Sequence, residues 1–188
     1  MKIVVFDFDK TITYKDSFSE LFLLSSKVYQ KFVYCFLKVL SKFGLISVER
    51  EKMLMIRLLF DSDVNCLTKA CEEYCDHISF TPILDILKNE VKAGSKVIVL
   101  SATSEILLKL VFKDVDVLIL GTKFRVNNEN KITGIIQHPY DSKKLKILQD
   151  YGIESIDRQY FDSHHDECLK KISKSWCRVQ NGRIVEIK

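Results

Sequence analysis

Turn-forming residues are scarce in this 188-residue chain, which has six glycines and two prolines. That scarcity excludes collagen-like repeats, long flexible linkers and a turn-dense all-β fold. Charge of one sign is scarce as well. The 29 basic and 25 acidic residues leave a net +4, too small an excess to indicate nucleic-acid binding without clustering. Lys31, Lys38 and Lys42 interrupt the best apolar stretch, so no segment reaches the roughly 18 apolar residues a membrane span needs. Neither GxxxxGKS/T nor GxGxxG occurs, which removes P-loop and dinucleotide chemistry, and no GxSxG elbow is present.

Hydrophobic residues make up 47% of the chain and charged ones 29%, the balance of a globular protein with a real core. At roughly 100–200 residues per domain, the length fits one domain, or one domain carrying an insertion. Six cysteines suggest a disulfide framework only until their placement is considered. The opening MKIVVFDFDK has no charged leader followed by an apolar run, so a reducing, cytoplasmic setting is expected. Cys66, Cys71 and Cys75 lie near His77, but no CxxC pair exists and the spacing matches no zinc pattern. They read as thiols packed like small hydrophobes.

Residues 2–6 form a short β-branched run, the pattern of a buried parallel strand. Residues 16–78 then read as helices. Val28, Phe32, Cys35, Phe36, Val39, Leu40 and Phe43 recur at helical spacing, with Lys27, Lys31, Lys38 and Lys42 mostly opposite. This apolar stripe is expected to pack on neighbouring helices. Gly44 ends the segment, Ser47 and Asp63 can cap the next two helices, and Thr81 and Pro82 can open another in the N-cap and N1 positions. Strands are predicted at 96–100 and 116–120, and TKFRV and KITGII flank a hairpin tip at Asn127–Asn130. A helix from about Ser142, a strand near Gln159–Phe161, a short helix and a hairpin at Asn181-Gly182 complete the chain. Strands alternating with helices predict an α/β fold: a Rossmann-like three-layer core with a parallel sheet. The expected division is a core of residues 1–13 and 80–188, with 14–79 as an inserted α-helical cap.

Asp7-Phe8-Asp9-Lys10-Thr11 stands at the carboxyl end of the first strand, where ligands bind in open α/β sheets. If the segment stays extended, Asp7, Asp9 and Thr11 point one way and Phe8 and Lys10 another. Two neighbouring carboxylates repel by about 4 kcal/mol at 4 Å and an effective dielectric of 20, so they retain a proton or hold a cation. Oxygen-only ligands favour Mg²⁺. Ser101, the pair Lys143 and Lys144, and the run Asp162–Asp166 follow separate α/β elements, and all would converge on that same sheet edge.

These four segments, in this order, resemble the motifs of the haloacid dehalogenase-like superfamily, specifically its phosphoserine-phosphatase-like branch with a helical cap. DFDKTIT is similar to the DxDxT motif, VLSATS to the Ser/Thr motif, KKLKIL to the lysine motif and FDSHHD to the acidic motif. The resemblance implies a Mg²⁺-dependent phosphatase acting on a small phosphorylated metabolite. Asp7 would attack phosphorus to form an aspartyl-phosphate, and Asp9 would serve as general acid and base. Asp7, the Asp9 carbonyl and Asp162 would hold Mg²⁺. Thr11, Ser101 and Lys144 would bind phosphate, and Asp166 would position the lysine or a metal-bound water. Lys143 competes with Lys144 for the lysine role. Lys10 stands where the family often has glycine, and Phe161 precedes Asp162 in place of glycine.

Asp16, nine positions after Asp7, stands where phosphoserine phosphatases carry a substrate-reading glutamate; it also suits a helix cap. His164 and His165 are expected to flank the mouth of the site, and Arg50 and Arg57 to be exposed. Two other functions compete with the leading one. The first is a lipid-phosphate phosphatase of the same superfamily, held at a membrane surface by the amphipathic stretch 28–43. The second is a phospho-ligand-binding or signalling module without turnover. Receiver domains, which also phosphorylate an aspartate, carry it after a later strand.

Overall fold

The computed structural model describes Met1–Lys188. A seven-stranded sheet in the order β4-β3-β2-β1-β5-β6-β7 forms the middle layer. The strands are β1 (Ile3–Phe6), β2 (Lys96–Ser104), β3 (Leu118–Val126), β4 (Ile132–Gln137), β5 (Arg158–Phe161), β6 (Trp176–Gln180) and β7 (Arg183–Ile187). β1 is central, parallel to β2 on one side and to β5 on the other, and only β4 and β7 run antiparallel to their neighbours. The expected α/β fold is therefore present.

Alternation along the strands builds a core on each face of the sheet. Val4, Phe6, Val97 and Val99 pack with Phe8, Ile83 and Leu87 on one face. Val5, Ile98 and Leu100 pack with Ile147, Leu148 and Leu169 on the other. Seven helices accompany the sheet: α1 (Ser17–Ser25), α2 (Val28–Lys42), α3 (Val48–Phe60), α4 (Val64–Cys75), α5 (Ile83–Lys92), α6 (Glu105–Val111) and α7 (Lys143–Asp150). A 3₁₀ helix covers His164–Lys171. The helix α5 starts one residue later than its sequence suggests: Thr81 Oγ1 accepts from the Ile83 amide at 3.2 Å, so both Thr81 and Pro82 precede it.

The first four helices lie between β1 and β2 in sequence, over the carboxyl end of the sheet. Their capping follows the sequence, with Asp16, Ser47 and Asp63 each accepting an amide of the first turn. They have their own core, in which Phe22, Met55, Ile56, Leu67 and Cys71 meet Leu107 of α6 and Ile132 of β4. The chain enters and leaves this unit through adjacent antiparallel segments, with Thr13 bridged to Phe80. All six cysteines are free thiols.

Two expectations fail here for visible reasons. Residues 116–120 and 122–126 are not separate strands. β3 runs through Gly121, pairing first with β2 in parallel and then with β4 in antiparallel fashion. The β3–β4 ribbon thereby leaves the sheet and reaches the α3–α4 turn, where Ile132 donates to the Ser62 carbonyl and Val64 to that of Asn130. The α2 stripe also fails to pack. Gln30 and Leu37 are buried, with Gln30 donating to the Leu58 carbonyl at 3.0 Å and Tyr34 stacked on Phe22. The apolar stripe therefore faces outward.

Candidate active site

Past β1 the backbone turns and does not stay extended. The Phe8 carbonyl accepts the amides of Thr11, Ile12 and Thr13, and Lys10 adopts a left-handed φ of 59°. The turn separates the three side chains expected to share a direction. Asp7 faces a cleft, Asp9 leans toward the helical unit, and Thr11 is fully buried away from the cleft, its hydroxyl without a partner. The phosphate contact expected of Thr11 is thus not available to it in this arrangement.

Around Asp7 the elements converge as expected. Lys144, in the first turn of α7, donates to Asp7 Oδ1 at 2.8 Å and also to Asp166 Oδ1. Lys143 points outward and pairs with Glu49 of α3 at 2.5 Å, so the lysine at the cleft is Lys144. Carboxylate oxygens of Asp7, Asp162 and Asp166 lie within 4.8 Å of one another. Burial and the neighbouring Asp166 and Asp162 charges push the Asp7 carboxyl well up against the pull of Lys144. Burial and Asp166 raise Asp162 as well. Lys144 is buried, but its two carboxylate partners outweigh that and hold the ammonium firmly charged. Such a cluster of hard oxygens carrying excess negative charge suits a divalent cation.

The Asp9 carboxylate belongs to a different network. It accepts the Ser17 amide at 2.8 Å and the Thr103 hydroxyl at 2.5 Å, and Ser17 and Thr103 touch at 3.0 Å. Burial, followed by repulsion from Asp16, raises its pKa to about 6. This places a protonatable carboxyl on the same cleft as Asp7 but outside the three-carboxylate cluster. Ser101 lies at the bend of β2, its hydroxyl accepting the Thr103 amide at 3.3 Å.

Asp7, Asp9, Asp16, Ser101, Lys144, Asp162 and Asp166 all line one cleft of about 180 Å³. It adjoins a chamber of about 650 Å³ between the sheet edge and helices α2 and α3, which Lys38, Lys42, Glu51, Lys52, Tyr140, His164 and His165 help to line. Asp16 caps α1 through the Ser19 amide at 2.7 Å and also faces cleft and chamber. Burial opposes its ionisation, but the Ser19 contact and Lys38 outweigh burial and keep its pKa low. Arg50 and Arg57 are exposed, as expected.

Three residues on or behind the chamber wall carry no motif signal. Lys52 of α3 is buried and donates to the Ala102 carbonyl at 2.5 Å, between Ser101 and Thr103. Burial lowers its pKa to about 8. Thr122 donates its one proton to the same carbonyl at 2.5 Å and so accepts from His138 Nδ1 at 2.8 Å. His138 Nε2 is then a buried acceptor without a partner, and burial with the nearby Lys52, Lys143 and Lys144 drives its pKa down to about 3.

The sequence profile of a family described as haloacid dehalogenase-like hydrolase matches residues 4–166. Comparison with curated protein sequences yields no match. Among solved structures, a protein of unknown function from Bordetella pertussis Tohama I superposes with a TM-score of 0.77 at 19% identity, over 90% of this chain and 86% of that one. A phosphoserine phosphohydrolase-like protein from Francisella tularensis subsp. tularensis SCHU S4 gives 0.69 at 16% identity, over 95% and 87%. A phosphoserine phosphatase captured as a phospho-aspartyl intermediate analogue gives 0.65 at 19% identity, over 94% and 85%.

Proposed function

Since the chain belongs to the haloacid dehalogenase-like hydrolase family, we propose that it is a Mg²⁺-dependent phosphomonoesterase working through an aspartyl-phosphate on Asp7. The observation that carries this reading is the arrangement around Asp7. One carboxylate oxygen is engaged by Lys144, while Asp162 and Asp166 stand beside it and Asp9 lines the same cleft in its own hydrogen-bond network. The fold shared with the phospho-aspartyl analogue of phosphoserine phosphatase supports it.

Asp7 would attack phosphorus, splitting one displacement into two. Asp9, raised to about 6, would be protonated often enough near neutral pH to give its proton to the leaving oxygen. As a carboxylate it would then take a proton from the water that hydrolyses the aspartyl-phosphate. The Ser17 amide and Thr103 hydroxyl aim it in both steps. Ser101 and the Lys144 ammonium would bind phosphoryl oxygens and offset their charge. Asp7 and Asp162, with Asp166 close by, would hold Mg²⁺, which when bound neutralises phosphoryl charge. In this reading residues 14–79 act as a cap over the chamber, closing on the substrate and excluding water.

The chamber supports a small substrate that carries charge of both signs, because Asp16 and Glu51 face it together with Lys38, Lys42 and Lys52. The test is hydrolysis of a generic aryl phosphate by the purified protein. Turnover should require Mg²⁺ and be lost on adding EDTA or in Asp7→Asn. Metal-independent turnover that survives Asp7→Asn would refute the reading. A panel of phosphorylated metabolites ranked by kcat/KM would then identify the substrate.

A further inference from the structure

The outward face of α2 leaves a contiguous row of apolar side chains uncovered. Phe32 is 73% exposed, Phe36 62%, Phe43 76% and Leu45 69%, and Val28 and Val39 continue the same face. Scattered exposed hydrophobes need no explanation, but a contiguous aromatic row along one helix does. The row extends along a helix of 15 residues, about 22 Å at 1.5 Å per residue. Around the helix axis the residues divide into three arcs: the buried side of Gln30 and Leu37, the bare apolar arc, and a flank of Lys27, Lys31 and Lys42.

The charge around this face is of one sign only. No aspartate or glutamate occurs from Leu21 to Val48, a stretch that holds Lys27, Lys31, Lys38 and Lys42. Lys38 is spent on Glu51 at 2.8 Å, whereas Lys27, Lys31 and Lys42 are exposed. We propose that this face of α2, with the turn at Phe43–Leu45, docks the protein on an anionic lipid surface. The aromatic side chains enter the acyl boundary while the lysines meet the headgroup charge. No helix is long and apolar enough to cross a membrane, so the helix lies on the surface. A second copy of the chain fits less well. A two-fold contact sets the face against itself, and with no carboxylate in the patch lysines would meet lysines.

Docking also orients the molecule. Lys38, Ser41 and Lys42, on the edge of α2, line the chamber, so the chamber comes to lie beside the lipid surface. The proposal rests on the surface of α2 and stands whether or not the catalytic reading does.

The experiment is flotation of the full-length protein with vesicles at low salt. One vesicle set holds equal parts phosphatidylcholine and phosphatidylglycerol, the other phosphatidylcholine alone. The parent protein should float with the anionic vesicles and be released by high salt. Phe32→Glu with Phe36→Glu, or Lys27→Gln with Lys31→Gln, should lower the bound fraction about tenfold or more. Neither pair touches the cleft, so an unchanged melting curve serves as the control for folding, and aryl-phosphate turnover in solution should not change either. Failure of the parent to float at low salt overturns the proposal. So does a concentration-dependent dimer, seen by sedimentation, that Phe32→Glu with Phe36→Glu dissolves while the parent ignores vesicles.

Discussion

Lys143 and Lys144 are neighbours in sequence with opposite surroundings, and replacing each with methionine separates a buried charge from an exposed one. Lys144 Nζ is 2.8 Å from Asp7 Oδ1 and also bonded to Asp166, all three side chains being nearly solvent-free. At that distance and an effective dielectric of about 20, the Lys144–Asp7 attraction alone is about 6 kcal/mol. Desolvation offsets much of this attraction in the intact protein. Removing the ammonium leaves two carboxylates buried without their partner, a loss of about 3–5 kcal/mol. For a chain of this length that lowers Tm by roughly 6–20 °C. It also removes the cation proposed to bind phosphate, so kcat should fall about 10²–10³-fold. Lys143 pairs with Glu49 at 59% and 38% side-chain exposure, which puts its loss at about 0–1 kcal/mol. Melting curves and kcat on an aryl phosphate read both effects. A Lys144→Met protein keeping kcat within about threefold of the parent, beside a Lys143→Met protein that loses turnover, would refute the reasoning.

Three further outcomes follow from the same packing. His138 is held neutral with a pKa near 3 against 6.5 in the unfolded chain, so between these values the unfolded state binds the extra proton and stability falls as pH falls. By pH 5 about 2 kcal/mol is lost relative to pH 8, and a pH series of melting temperatures should show His138→Gln flattening that slope. Thr103→Val removes the hydroxyl that holds Asp9 at 2.5 Å and should lower kcat about tenfold or more without unfolding the protein; an unchanged kcat means the Ser17 amide suffices. At Gly121 an added Cβ would come within 2.9 Å of the Glu105 backbone, so Gly121→Ala should cost about 1–3 kcal/mol and several degrees of Tm.

Sequence and structure agree best where local chemistry decides. The β-branched run at Ile3–Phe6, the caps at Ser47 and Asp63, and the glycine closing α5 at Gly94 (φ 76°) depend on nearby atoms, and all stand where the residues predict. The four motif segments also converge on one sheet edge, which parallel topology enforces once the strand order is set. What escaped reading depends on tertiary partners. Lys10 enters the left-handed region without a glycine to announce it, and that single turn separates Thr11 from Asp7. Lys52 looks like any lysine on an amphipathic helix until the Ala102 carbonyl is seen opposite it. The period of α2 predicted its stripe but not which arc met the protein: Gln30, Leu37 and the stacked Tyr34 face inward and the apolar stripe does not.

The β3–β4 ribbon has a consequence for how the chamber is entered. Its tip is bonded to the α3–α4 turn through the Ile132 and Val64 amides, and Lys131 reaches Asp61 at 3.1 Å. The helical unit is thus gripped on its far side as well as at Thr13 and Phe80. Any swing that admits substrate and preserves these bonds must carry the ribbon along as a lever. Its pivot then falls where β3 exchanges β2 for β4, between Thr122 and Lys123. That pivot adjoins the carbonyl gripped by Lys52 and Thr122, so opening would be felt directly at the backbone that places Ser101 and Thr103. Hydrogen exchange at Val64 and Ile132 should rise and fall together if the two parts travel as one piece.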